Sequence, residues 1–299
     1  MKNRFYTAFG LKFRSNFELY SMAPSSKLNG YDLSIVKVKA TVEVDAEECF
    51  VKKHSENSLM YHVKGIATFL IRDKENIEIQ QYHTDNDLVE SVLMEKVMLS
   101  YLTMLGYYVC SGAAILLNGK ARLFLGVPGV GLSSIVAKFY QNGSTVLSDA
   151  HIVIKQNGTN FVLIPSCTYS KLWSSVVQEL KLEGKVKQAV REKLTKYYVD
   201  LLAQEYEESY DISEKCMVEI DPIGKFDLKS KELTVLETIK EFKRHLIIDD
   251  TEQSTLNKKE EFKLLTFLAS KGRTWKVSRP TAVYNLSNLV SFIQSATYE

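Results

Sequence analysis

Apolar and polar residues alternate over much of the first hundred positions of the chain. A two-residue period places every second side chain on one face, which is the pattern of a half-buried strand. Short polar segments such as Lys64-Gly65 and Asp73–Asn76 separate the later runs and predict tight turns. The strands predicted on this basis are Phe5–Phe13, Tyr31–Val44, Tyr61–Val63, Ile66–Ile71 and Ile77–Gln81.

The pattern then changes to a helical period. Apolar residues recur three or four positions apart between Asp87 and Leu105, which predicts one amphipathic helix. We therefore predict an N-terminal β-rich lobe over residues 1–106, closed by this helix, and a second unit over residues 107–299. A chain of 299 residues is long enough for two hydrophobic cores.

A strand leads directly into a glycine-rich segment near the middle of the chain. Tyr107–Leu117 has strand character, and Asn118-Gly119 is a strong hairpin signal. The returning strand, Arg122–Leu125, ends without a polar face, as expected for a strand buried on both sides. Gly126-Val-Pro-Gly-Val-Gly131 follows, and Ile135–Tyr140 can continue as a helix. Strand, glycine-rich turn and helix form the context in which phosphate-binding loops occur.

The glycine-rich segment matches the phosphate-loop consensus except at its lysine. Gly126, Gly131 and Ser133 fall on the frame, whereas Leu132 stands where the consensus has lysine. Backbone N–H groups and the helix dipole attract phosphate without the lysine, and a hydroxyl at Ser133 is suited to a nucleotide-bound Mg²⁺. A plain turn that packs a helix against a strand is the alternative. The candidate cofactor-binding residues are Gly126, Gly129, Val130, Gly131, Leu132, Ser133 and Ser134.

A second predicted strand, Ser144–Leu147, leads to Asp149. A carboxylate there is suited to binding Mg²⁺ together with Ser133, or to accepting the proton of a substrate hydroxyl; a turn-capping aspartate is the alternative. On an extended strand, the side chain of His151 would lie about 6–7 Å from that of Asp149 on the same side. Asp149 and His151 are the candidate catalytic residues, with a plain strand histidine as the alternative at position 151. Lys171 is a loop lysine free to approach them.

The C-terminal third has mainly helical periodicity. The helices predicted there are Leu172–Leu182, Val186–Glu208, Leu233–Leu246, Glu260–Ser270 and Asn285–Ser295. Two short strands are predicted at Lys215–Ile220 and Trp275–Val277. The polar stretch Ile247–Lys259 lies between two of the helices, and we expect it to be mobile.

Composition narrows the function without naming it. Hydrophobic residues make up 45% of the chain and the net charge is +2, which argues against a nucleic-acid or anionic-membrane surface. No apolar run approaches the roughly 20 residues of a membrane span. Four widely separated cysteines without Cys-x-x-Cys spacing suit reduced thiols. We therefore expect a cytoplasmic globular protein.

Several motifs together resemble the HPr kinase/phosphorylase family, and in particular its HPr-kinase-related serine kinases. The order and spacing of short segments carry the resemblance, which covers most of the chain. In the central part these are Ser111-Gly-Ala-Ala-Ile115, Asn118-Gly-Lys120, Leu123-Phe-Leu-Gly126 and Leu147-Ser-Asp149. In the flanks they are Tyr6–Leu11, Gly65–Arg72, Lys171-Leu-Trp173 and Arg279-Pro280.

The resemblance implies an α/β fold with a P-loop core sheet flanked by helices and an N-terminal β-rich lobe. It implies ATP or another nucleotide and Mg²⁺ as cofactors, and a serine on a small protein or peptide as the phosphate acceptor. The family places a base at Asp149 and metal ligands at Ser133 and at an acidic pair that begins with Asp149. Three departures weaken the site: Ser111 stands where the family has histidine, Leu132 where it has lysine, and Ala150 where it has a second aspartate.

All three departures remove a polar or charged side chain from the predicted phosphate site. If each costs about 2–4 kcal/mol of transition-state stabilisation, the rate falls by orders of magnitude. We therefore predict a pseudokinase that binds nucleotide weakly and a peptide or protein partner in a serine-phosphorylation or peptide-modification pathway. An active serine kinase and a scaffold that binds no nucleotide are the alternatives. For any of the three functions, a homo-oligomer of this chain is a further candidate partner.

Overall fold

The first eight strands of the chain pair into one sheet. The computed structural model describes residues 3–26, 29–39, 49–55, 57–191, 194–221, 227–247, 258–281 and 285–298. The strands are β1 (Arg4–Ala8), β2 (Leu11–Ser15), β3 (Pro24–Ser25), β4 (Leu33–Val38), β5 (Phe50–Ser55), β6 (Ser58–Val63), β7 (Ala67–Arg72) and β8 (Asn76–Gln81). Their order across the sheet is β3-β1-β2-β4-β8-β7-β6-β5.

The predicted meander over β6, β7 and β8 is confirmed, whereas the first predicted strand is a hairpin. The chain reverses at Phe9 and Gly10, which both have positive φ, so that β1 and β2 pair antiparallel. Alternation continues across this tight turn, and for that reason the pattern predicted one strand. β4 confirms the predicted strand Tyr31–Val44 over Leu33–Val38, and residues 40–44 lie outside the described residues.

The predicted closing helix is confirmed with an irregular middle. It consists of α1 (Asn86–Val92), a π-helical turn (Leu93–Val97) and α2 (Met98–Met104). Asp85 caps its start, because one carboxylate oxygen accepts hydrogen bonds from two backbone N–H groups of the first turn.

The second sheet contains the predicted strand that leads into the glycine-rich loop and its helix. In chain order, the elements of this region are β9 (Tyr108–Ser111), β10 (Ala113–Leu117), β11 (Lys120–Leu125), α3 (Leu132–Gln141), β12 (Thr145–Ser148), β13 (His151–Asn157) and β14 (Asn160–Ile164). The single predicted strand Tyr107–Leu117 is broken at Gly112, where a Cβ atom would lie 2.5 Å from the carbonyl oxygen of Phe124. The break lets β9 pair with β13 while β10 pairs with β11 and β12.

A small separate sheet follows where two helices were predicted. It is formed by β15 (Ser170–Trp173), β16 (Val186–Ala189) and β17 (Lys196–Val199), with α4 (Ser174–Glu179) between the first two. The prediction of a helix over Val186–Glu208 is therefore wrong, and Leu172–Leu182 is helical only in α4. Aromatic and β-branched residues at the end of β17 favour a strand, and cross-strand pairing outweighs the helical spacing of nearby apolar residues.

The remaining elements agree with the predicted order, except that the strand Lys229–Glu232 was not predicted. They are β18 (Tyr210–Asp221), β19 (Lys229–Glu232), α5 (Val235–His245), α6 (Lys258–Ser270), β20 (Thr274–Pro280) and α7 (Leu286–Tyr298). β18 lies in the middle of the second sheet, parallel to both β11 and β20. The prediction of a mobile stretch at Ile247–Lys259 falls largely on residues 248–257, outside the described residues.

The chain is thus a mixed α/β protein, as predicted at that level. α3 and α7 pack on one face of the second sheet, and α5 and α6 pack on the other. Residues of both predicted domains share one further hydrophobic cluster, which includes Phe13, Phe69, Val109 and Ile164. The division at residue 106 stays a prediction. In the described part of the chain no helix has the length and apolar character needed to cross a membrane.

Candidate functional site

The glycine-rich loop connects a fully buried strand end to an open helix start. Leu123, Phe124 and Leu125 have no exposed surface, so the end of β11 is fixed in the core. Gly126 follows at a point of close backbone contact, where a Cβ atom would lie 2.7 Å from the carbonyl oxygen of Val218. Any other residue at Gly126 would push the loop away from the sheet.

The loop delivers the first N–H groups of α3 to open space. Gly131 has φ +97° and precedes the helix, and no side chain among the described residues caps it. The first helical hydrogen bond runs from Ile135 N–H to the Gly131 carbonyl, at 3.0 Å. The N–H groups of Leu132, Ser133 and Ser134 therefore lack partners within the helix, and they carry the positive end of its dipole.

A cavity of about 670 Å³ lies in front of the loop. Its volume is within the usual range for small-molecule sites. The N-terminal lobe with its irregular helix, the loop with the start of α3, and the small sheet with the residues before it line the cavity, together with the end of β9 and the turn between β12 and β13. The polar and charged side chains in its wall are Ser21, Glu95, Ser111, Ser133, Ser134, Asp149, His151, Thr168, Tyr169, Lys171 and Lys196.

Asp149 is the most enclosed acid of this wall. Its Oδ1 accepts hydrogen bonds from Ser133 Oγ at 2.9 Å and from the Ala150 N–H at 3.0 Å. Burial raises the pKa of Asp149, and hydrogen bonds from Ser133, Ser170 and Ala150 oppose this, together with the charge of Lys196. The two residues predicted to bind a metal are thus in direct contact, with their oxygens directed at one another.

His151 does not lie beside Asp149 on an extended strand, and that part of the prediction is wrong. Ala150 has φ +74°, so the chain turns between the end of β12 and the start of β13. His151 instead pairs with Ser111 of β9, and both line the cavity. Burial lowers the pKa of His151 to about 4, aided by Lys171 and opposed by Glu95. The imidazole is therefore neutral near pH 7.

The cavity wall holds two lysines on one face of the small sheet. Lys171 and Trp173 are two residues apart on β15, and their cross-strand partners on β17 are Tyr198 and Lys196. The Lys171 Nζ lies 2.6 Å from Glu95 Oε1, so this lysine is ion-paired and lies in a strand, not in the predicted free loop. Lys196 Nζ lies 5.5 Å from the centre of the Trp173 ring.

The predicted cofactor-binding residues lie together, with one exception. Gly126, Gly129, Gly131, Leu132, Ser133 and Ser134 all line the cavity. Val130 is buried below the loop, where its carbonyl accepts a hydrogen bond from Arg279 Nε at 3.0 Å. A role for these residues in binding a nucleotide stays a prediction.

Sequence reasoning missed four residues of the site: Glu95, Ser170, Lys196 and Arg279. Glu95 and Lys196 both fall within predicted helices, and Arg279 appears only within a motif. The run of β-forming residues Tyr197, Tyr198 and Val199, read as a strand, is the signal that could have found Lys196.

No protein-family model and no curated protein sequence matches the chain. Among solved structures, the chain is similar to the Hpr(Ser) kinase/phosphatase from Coxiella burnetii. The TM-score is 0.31 and the identity 10%, over 63% of this chain and 95% of that chain. A TM-score this low carries no argument, and the assignment of function depends on the site itself.

Proposed function

We propose that the cavity binds the phosphate groups of a nucleotide, ATP or another, and that Gly126–Ser134 acts as a degenerate P-loop of the HPr-kinase kind. One observation carries the proposal: the free N–H groups of α3, the Ser133–Asp149 pair and the ammonium of Lys196 converge on one cavity. Backbone donors, a helix dipole and a cation together form a site for phosphate oxygens.

The same residues fit a nucleotide-bound Mg²⁺. No group of three or more acidic, histidine or cysteine side chains within the described chain could hold a metal alone. Ser133 and Asp149 would therefore hold the ion together with phosphate oxygens, as in other nucleotide sites. When bound, Mg²⁺ would neutralise phosphate charge. Asp149, released from its hydrogen bond to Ser133, would orient the ion.

We propose further that the protein is a pseudokinase with a serine-bearing peptide or protein as its partner. The loop residue that would carry charge, Leu132, packs partly against the hydrophobic cluster of α3. Ala150 and Ser111 offer neither a second carboxylate nor an imidazole at the cavity wall. Binding without efficient transfer follows, because the developing charge of a transferring phosphate is left with fewer donors.

A specific observation favours an active serine kinase as the second candidate. Asp149 is buried with a raised pKa, which suits a base that takes a proton from a serine hydroxyl. Lys196 would then stabilise charge on the phosphate. His151 is neutral and lines the same wall, where it could accept a proton in place of Asp149.

Calorimetric titration with ATP and Mg²⁺, and separately with pyrophosphate, tests the binding proposal. We expect a Kd in the micromolar-to-millimolar range, roughly −8 to −4 kcal/mol. Folded protein that binds neither ligand at millimolar concentration would contradict the proposal and leave the scaffold as the best explanation.

Transfer of label from radioactive ATP to a serine peptide separates the two kinase candidates. A pseudokinase gives no transfer above background, and Asp149→Asn changes only metal-dependent affinity. An active kinase transfers label, and Asp149→Asn abolishes turnover while the control Asp211→Asn, on the exposed part of β18, leaves it intact. Robust transfer that needs Asp149 would replace the pseudokinase proposal.

A further inference from the structure

Lys196 is a cavity lysine without an ionic partner. In the described part of the chain no carboxylate oxygen lies within ion-pair distance of it, whereas Lys171 pairs with Glu95 and Lys187 pairs with Asp200. The side chain is partly buried and lines the cavity beside Trp173. The phosphate-loop motif does not include this lysine, because it follows Leu132 by 64 residues.

The electrostatic surroundings of Lys196 favour an anion. Burial lowers the pKa of Lys196, and the charge of Lys171 lowers it further, against the weaker attraction of Asp149 and Glu95. Asp149 already accepts three hydrogen bonds, and Glu95 is paired with Lys171. A partly desolvated ammonium gains most from a charged acceptor that enters the cavity.

We propose that Lys196 binds the phosphate groups of the cavity's ligand and supplies the cation that the loop lacks at Leu132. This proposal rests on the proposed nucleotide-binding function. Phosphate would then be held between backbone N–H groups of α3 on one side and a cation from the small sheet on the other. The ligand class is a di- or triphosphate, since the donors are spread over two elements of the wall.

A purely structural role makes a different prediction. If Lys196 only offsets the charge of buried Asp149, its removal lowers stability but affects phosphate-bearing and phosphate-free ligands alike. If Lys196 binds phosphate, its removal weakens ATP and pyrophosphate and leaves adenosine unchanged. A lysine returned to the loop would compensate only in the second case.

The experiment is calorimetric titration of the full chain with Mg²⁺–ATP, pyrophosphate and adenosine. The variants are Lys196→Ala, Lys196→Arg and the double variant Leu132→Lys with Lys196→Ala. Lys187→Ala is the matched control, because it removes the same charge from β16 of the same sheet but does not line the cavity. We expect Lys196→Ala to lose about tenfold or more in affinity for both phosphates, Lys196→Arg to retain most of it, and the double variant to recover it.

Failure of this proposal and failure of the binding function give different results. Wild-type binding that Lys196→Ala keeps within about twofold removes Lys196 as a phosphate ligand and leaves the binding function intact. Absence of binding in the wild type removes both. If Lys196→Ala does not fold, acetylation of the wild type followed by mass spectrometry tests the proposal instead. Pyrophosphate should protect Lys196, but not Lys187, from acetylation. Equal labelling of Lys196 with and without pyrophosphate would contradict the proposal.

Discussion

Leu132 belongs to the cavity wall and to the hydrophobic core at once. Its side chain lines the cavity and packs against the cluster formed by α3, α7 and the small sheet. A lysine at this position would exchange part of that packing for a charge at the start of α3. The residue therefore sets how much of the attraction for phosphate comes from the backbone alone.

Leu132→Lys should tighten the binding of ATP and pyrophosphate. A hydrogen bond to a charged group contributes about 1.5–3 kcal/mol, which corresponds to roughly tenfold to hundredfold in affinity. Calorimetry measures the change, and Leu132→Met is the control that keeps the volume without the charge. Unchanged affinity would mean that position 132 faces the core and that the proposed loop register is wrong.

His151 predicts a pH dependence of stability. Its pKa in the folded protein is about 4, below the ordinary value of about 6.5, so the unfolded chain binds a proton first as the pH falls. The folded state should therefore lose up to about 3 kcal/mol of stability between pH 6.5 and pH 4 from this residue. The loss disappears well above pH 6.5, where the imidazole is neutral in both states.

Denaturant unfolding of His151→Gln against wild type across this range measures the effect. The difference in unfolding free energy should grow in favour of the variant as the pH falls. An NMR titration of His151 with a pKa near 6.5 would contradict the prediction.

At the scale of elements, β20 supports the loop from below. Arg279, near the end of β20, is buried and donates from Nε to the Val130 carbonyl at 3.0 Å, and from Nη1 to the Pro280 carbonyl. The loop backbone is thus tied to a strand that also pairs with β18, the neighbour of β11. The position of the α3 start depends on this connection.

Arg279→Met should weaken both the fold and the site. A buried carbonyl left without its donor costs about 1–3 kcal/mol, and a less constrained loop pays more entropy on binding phosphate. We expect a lower Tm and weaker pyrophosphate binding, measured by calorimetry. Arg273→Met, which removes an exposed arginine paired with Glu232, is the control. A lower Tm with unchanged affinity for pyrophosphate would show that Arg279 does not position the loop.

The local pattern of apolar and polar residues predicted most elements but not the small sheet. The loop and its neighbours were predictable because buried strands, an Asn-Gly turn and glycines at close contacts leave strong local signals. Strands β16 and β17 are four residues long, and β17 depends on its pairing with β15, from which residues 174–195 separate it. Their charged residues fitted a solvated helix equally well, so Lys196 could not be assigned to the site. The turn at Ala150 was missed because alanine rarely adopts positive φ.

At the scale of the whole molecule, the two predicted domains share a hydrophobic cluster and both line the cavity. Val109 and Ile164 pack into the same cluster as the N-terminal sheet. Backbone hydrogen bonds join Phe9 N–H to the Ser166 carbonyl at 3.3 Å and Tyr169 N–H to the Ser21 carbonyl at 2.8 Å. The cavity is therefore closed on one side by the N-terminal lobe.

Thermal unfolding should show a single cooperative transition for the full chain. Separation of the lobes would expose the shared cluster, so neither part should unfold first. Scanning calorimetry measures this, with equal calorimetric and van't Hoff enthalpies as the expected result. Two resolved transitions, or a fragment of residues 107–299 that folds by itself, would contradict it and support independent domains.

The pairing of β15 with β17 makes the site more sensitive to chain length than to side-chain chemistry. Arginine can replace a lysine on the cavity face, but deletion of one residue within β17 exchanges the two faces of the strand. Lys196 would then lie on the side of Leu172, which packs in the hydrophobic core, instead of on the cavity face. Relatives that keep this chemistry should tolerate substitutions along the small sheet, while insertions and deletions should be confined to the turns between its strands.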